Sequence, residues 1–144
     1  MITIDLAAMG AFYAAQGISA EVRDGGLWIA NPAAPAFGVR VQEAADQVAW
    51  TLEIPRPVPA AQTAEVAAAL AHINPDAAPG AWSLSPASHT VSYQVAVPAA
   101  RVELTPAGLL GPLVNVIEQG NTYVHALVEI IDGREPAGYV ASVG

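Results

Sequence analysis

From Asp5 to Gln16 the apolar side chains Leu6, Met9 and Tyr13 recur at i, i+3 and i+7, with Phe12 beside them. That is the spacing of one helical face. Thr3 or Asp5 supplies a cap at its start, and Gly17 a stop. The period then drops to two. Ser19 to Arg23 and Leu27 to Asn31 flank Asp24-Gly25-Gly26, a composition that turns one strand back on the next. Asn31 to Pro35 is a loop. Phe37 to Val41 and Val48 to Ile54 alternate apolar with small or polar residues, as half-buried strands do, and a polar link from Gln42 to Gln47 joins them. Pro55, Pro57 and Pro59 lack the N–H a ladder needs, so this stretch is a stiff extended connector.

Helical spacing returns from Thr63 to Ile73 and stops at Asn74-Pro75. Ala81 to Ser85 and Val91 to Val97 make a second hairpin around Pro86-Ala87-Ser88. Thr105-Pro106 opens a last helix, a polar cap with proline at the first helical position. It runs toward Asp132 with expected interruptions at Gly111-Pro112, where the ring removes a hydrogen bond, and at Gly120-Asn121. Residues 133–144 read as a flexible tail, leaving 1–132 as one domain.

The order repeats. Val48-x-Trp50-x-Leu52-x-Ile54-Pro55 matches Val91-x-Tyr93-x-Val95-x-Val97-Pro98, and Thr63, Val66, Leu70, Ile73 match Thr105, Leu109, Leu113, Ile117 within a residue or two. The expected fold is α+β: two similar units sharing one antiparallel sheet, with helices packed on one face.

Composition narrows the function. At 144 residues the chain can bury one core without staples, and it has no cysteine for disulfides, thiolate chemistry or thiolate metal sites. The N-terminus lacks a basic region and a long apolar run, so no cleaved signal is expected, and no apolar stretch is long enough for a membrane span. Thirteen acidic residues against five arginines give a net charge of −8. The arginines (Arg23, Arg40, Arg56, Arg101, Arg134) are scattered, which argues against a phosphate-binding groove and so against direct nucleic-acid binding.

No catalytic constellation is legible. His72, His89 and His125 have no metal-ligand spacing; His125 and Glu129 share a helical face, which an ordinary i, i+4 pair explains. Ser83, Ser85 and Ser88 near His89 lack a visible orienting group and read as polar turn residues. Gly25-Gly26 lies between strands and does not precede a helix, so it is no phosphate loop. No metal or cofactor is expected, and the chain reads as a non-enzyme.

The second helix is the informative one. Val66, Leu70 and Ile73 form its core stripe, while Ala64, Ala67, Ala68 and Ala71 make its other faces small and uncharged. A helix apolar nearly all round is usually buried on more than one side, so these four alanines are candidates for a subunit interface. Alanine is also simply the best helix former. Trp28, Trp50, Trp82, Phe37 and Tyr93 sit on expected strands. Most should line the core, and any on the far face would make an aromatic patch for a partner; Trp28 and Trp50 are the candidates.

A leading helix, strands, a helix ending in Ile73-Asn74, a hairpin carrying Val91-Ser92-Tyr93-Gln94-Val95, and Leu104-Thr105 opening a last helix resemble the YbjN-like domain over roughly Asp5 to Ile131. That family is described as bacterial sensory transduction regulators, and its fold is similar to the dimeric chaperones of type III secretion. The resemblance implies a homodimer without catalytic residues that presents its sheet and helix surfaces to a protein client, and the absence of cysteine fits a cytoplasmic location. The acidic charge suits a basic client, including one that itself binds nucleic acid. The alternative reading is a regulatory domain that senses a small molecule held between sheet and helices.

Overall fold

The computed structural model describes residues 5–30 and 38–143. Phe37, the loop from Asn31 to Pro35 and Thr3 lie outside the described residues. Helix α1 (Leu6–Ala15) starts at Asp5, whose carboxylate accepts the Ala8 N–H at 3.0 Å, and ends before Gly17 at φ 78°. Strands β1 (Ala20–Arg23) and β2 (Gly26–Ile29) pair with Arg23 opposite Gly26. The two residues between them, Asp24 and Gly25, have φ of 51° and 74°, the left-handed geometry of a tight hairpin.

Strands β3 (Val39–Ala44) and β4 (Gln47–Glu53) form a longer hairpin than the sequence suggested. Gln42 to Ala44 continue the strand, and the turn is the pair Ala45-Asp46 at φ 50° and 63°. Neither residue is glycine or asparagine, so the usual turn signal was absent. Helix α2 (Thr63–Ile73) follows the proline connector, then β5 (Ala81–Leu84) and β6 (Val91–Pro98).

All pairings are antiparallel and the strand order is β1-β2-β3-β4-β6-β5. The two similar stretches of sequence thus meet at the centre, where β4 and β6 lie side by side with Trp50 opposite Val95 and Leu52 opposite Tyr93. Every second residue on this seam points to one face: Val48, Trp50, Leu52, Val91, Tyr93 and Val95 are all buried.

Helix α3 (Pro106–Ile131) covers that face as one uninterrupted element, which corrects the two expected breaks. Thr105 caps it by accepting the Gly108 N–H at 3.1 Å. Pro112 is accommodated because the residue before it is Gly111, with no Cβ to collide with the ring. Gly120 serves contact, not termination: a Cβ there would lie 2.6 Å from Leu52 Cδ1, so a larger residue would force the Leu52 side chain to move.

The segment after Gly133 also differs from the loose tail expected. Ala137–Ser142 forms a short 3-10 helix packed on α2, with Val140 only 1% exposed and the Ala137 N–H donating to Glu65 at 2.7 Å. Its apolar side chain removes it from water. At the opposite end of α2, the Asn74 side chain pairs with the edge strand β5, accepting the Trp82 N–H at 2.7 Å and donating to the Trp82 carbonyl at 2.9 Å.

Candidate protein-binding surfaces

The helix-covered face is a packed core whose polar atoms bond to one another. Tyr13 and Trp50 are both fully buried; Trp50 Nε1–H donates to the Tyr13 hydroxyl at 3.0 Å, and that hydroxyl donates to the Leu109 carbonyl at 2.6 Å. The chain of bonds ties α1, β4 and α3 together. Burial holds the Tyr13 hydroxyl protonated, its pKa pushed up to about 12 although the Trp50 bond pulls the other way. Tyr93 repeats the device in the other half. Its hydroxyl donates to the Ala77 carbonyl at 2.6 Å and accepts the Gly80 N–H at 3.0 Å, and burial raises its pKa as well. Trp82 Nε1–H donates to Gln119 on α3 at 2.9 Å. Every aromatic polar atom in these three sets has a partner.

Trp50 therefore belongs to the core, not to a surface: at 0% exposure it offers nothing to a partner. Trp28 is different. It lies half-buried on the opposite, open face of the sheet. Register builds one row across all six strands there: Glu21, Trp28, Arg40, Thr51, Gln94 and Ala81 stand opposite one another in turn. The Arg23 guanidinium lies 4.6 Å from the centre of the Trp28 ring and that of Arg40 lies 5.3 Å away, both within cation–π reach.

A shallow cleft of about 350 Å³ opens beside this group, lined by Trp28, Arg40, Gln42, Thr51, Glu53 and Gln94 among others. A second, of about 290 Å³, borders Glu21, Arg23 and Trp28. Sequence reasoning counted Arg23 and Arg40 as scattered. They meet only through strand register, which a sequence read alone does not give.

The second predicted surface is on the other side of the molecule. Helix α2 buries Val66, Ala69, Leu70 and Ile73 against α3, the edge of the sheet and the C-terminal 3-10 helix. Ala64, Ala67, Ala68 and Ala71 are all exposed. The structure brings the four alanines together on one helix but separates them from Trp28, which sits on the far face of the sheet.

The histidines stay apart. His72 is on α2, His89 in the β5–β6 turn and His125 on α3, all exposed. Glu129, the expected partner of His125, pairs with Arg134 at 3.2 Å. Among the described residues no group of three or more histidines and carboxylates could hold a metal, and no helix is long and apolar enough to cross a membrane.

No family model and no curated protein matches this sequence. Solved structures do. A chain of the ExsC–ExsE complex aligns at TM-score 0.59 with 12% identity, covering 85% of this chain and 92% of that one. A chain of the heterodimeric ExoU–SpcU complex, from the type III secretion system of Pseudomonas aeruginosa, aligns at TM-score 0.54 with 15% identity over 86% and 98%. YbjN from E. coli, a proposed transcription regulator, aligns at TM-score 0.51 with 12% identity over 99% and 93%. The fold is YbjN-like and type III secretion chaperone-like, an α+β architecture with an open antiparallel sheet.

Proposed function

We propose that this chain is a non-catalytic, chaperone-like adaptor that works as a cytoplasmic homodimer and holds a client protein. The observation that carries this reading is the fold, because two of the similar structures are complexes with a protein partner. Three solvent-facing histidines on separate elements favour binding over catalysis. The net charge of −8 favours a basic client, including one that binds nucleic acid itself.

The dimer surface in this reading is the exposed alanine face of α2, where small side chains allow a second helix close approach. Light scattering on the wild type and on an Ala68→Glu/Ala71→Glu variant tests it. A dimeric wild type and a folded, monomeric variant are expected. A monomeric wild type would remove the dimer, and a variant that stays dimeric would move the interface elsewhere. Immobilised wild type should retain one protein from lysate of its source cell in a salt-sensitive manner; retention unaffected by salt would argue against a basic client.

A further inference from the structure

Arg56 pairs with Asp132 and Arg134 with Glu129, whereas neither Arg23 nor Arg40 forms an ion pair with a carboxylate of the described residues. Both instead lean on Trp28. Two like charges are thus gathered on one indole, in a molecule with few cations to spare. The Arg40 side chain reaches across the sheet over Gly26, where a Cβ would stand only 3.0 Å from its Nε. The bare backbone at Gly26 is what admits it.

Two donors in this group, Trp28 Nε1 and Arg40 Nε, are buried atoms without a hydrogen-bond partner among the described residues. An unpaired buried donor loses its water and gains no bond in return. The covered face carries no such deficit at Trp50 or Trp82, whose Nε1 atoms are both bonded.

We propose that Arg23, Trp28 and Arg40 form a cradle for a single carboxylate presented by a protein partner. A carboxylate is acceptor-only, planar and bidentate, so it matches the two guanidinium forks that flank the indole, and a shift of the Arg40 side chain would open the two buried N–H groups to it. Glu21 and Glu53 border the same clefts, so the lining carries two cations and two anions. That balance, set in a chain of net charge −8, tolerates one negative charge and opposes a phosphate dianion or a polyanion. The inference rests on the adaptor reading only for the source of the carboxylate, an aspartate, a glutamate or a C-terminus of the client.

The test uses the full chain labelled with nitrogen-15. Its three tryptophans give three indole N–H signals, and Trp28→Phe identifies one of them. Titration with the capped tripeptide Ac-Ala-Glu-Ala-NH₂ should move the Trp28 indole and Arg40 Nε signals saturably, leaving those of Trp50 and Trp82 in place. Ac-Ala-Gln-Ala-NH₂ should not. Arg40→Gln, folded by its melting curve, should weaken binding at least ~10-fold. No movement at Trp28, equal movement with the glutamine peptide, or tighter binding of inorganic phosphate would each overturn the proposal. A cradle that titrates as expected in a chain that captures no client would retire the adaptor reading and leave the carboxylate site standing.

Discussion

The two faces of the sheet treat the same chemistry in opposite ways. Under the helices, Trp50 and Trp82 each donate their indole N–H to a side-chain oxygen, and Tyr13 and Tyr93 each join a donor to a backbone carbonyl. On the open face, Trp28 finds no acceptor among the described residues, and two arginines lie against its ring. A polar atom that is buried and paired holds a fold together. One left unpaired carries a demand the fold itself does not meet. The difference teaches that tryptophan alone is no guide to role; the state of its N–H is.

Breaking the covered face should be expensive. Trp50→Ala removes a fully buried ring from the centre of the sheet and should cost about 3–5 kcal/mol in denaturant unfolding. A loss below about 1 kcal/mol would show the two faces to be less different than they look. Tyr13→Phe is subtler, since it deletes one oxygen and strands the Trp50 N–H; about 1–3 kcal/mol is expected.

The same hydroxyl sets an alkaline limit. Its folded pKa of about 12 lies above the ordinary tyrosine value of 10.0, so its contribution is complete below pH 10 and lost as pH climbs toward 12. Melting temperature followed across that window should fall more steeply in the wild type than in Tyr13→Phe. Parallel slopes would assign the alkaline loss to other groups. The smallest losses belong to the open face: Arg40→Gln and Trp28→Phe should each cost no more than ~0.5 kcal/mol, and Trp28→Phe can gain stability because the donor it deletes is unpaired. A large loss there would make the cradle part of the scaffold and erase the contrast.

Much of this was legible in the sequence. Alternation at Val48, Trp50, Leu52 and Ile54, with Thr51 and Glu53 between them, already places Trp50 with the apolar set. Trp28 sits out of phase between Leu27 and Ile29, the one signal that could have told the two apart. Helix α2 runs over the expected residues because its stripe and its stop are both strong. The misses have local causes. Glycine read as a breaker in α3, yet Gly111 makes room for a proline ring and Gly120 for Leu52. Ala45-Asp46 turned the chain without a turn composition. The tail lacked periodicity of its own because α2 supplies the surface it docks on. The arginine pair needed register across three strands, which no single segment encodes.

Asn74 carries a consequence for self-assembly. A sheet polymerises by adding strands at both ends, as each newcomer exposes a fresh row of backbone groups. Here the strand at one end is four residues long, and the amide of Asn74 already occupies the N–H and carbonyl of Trp82 within it. A strand adding at that end would first have to displace a side chain that imitates a neighbouring backbone. The β1 end has no such device among the described residues, so the two ends of one sheet differ in how readily they accept a newcomer.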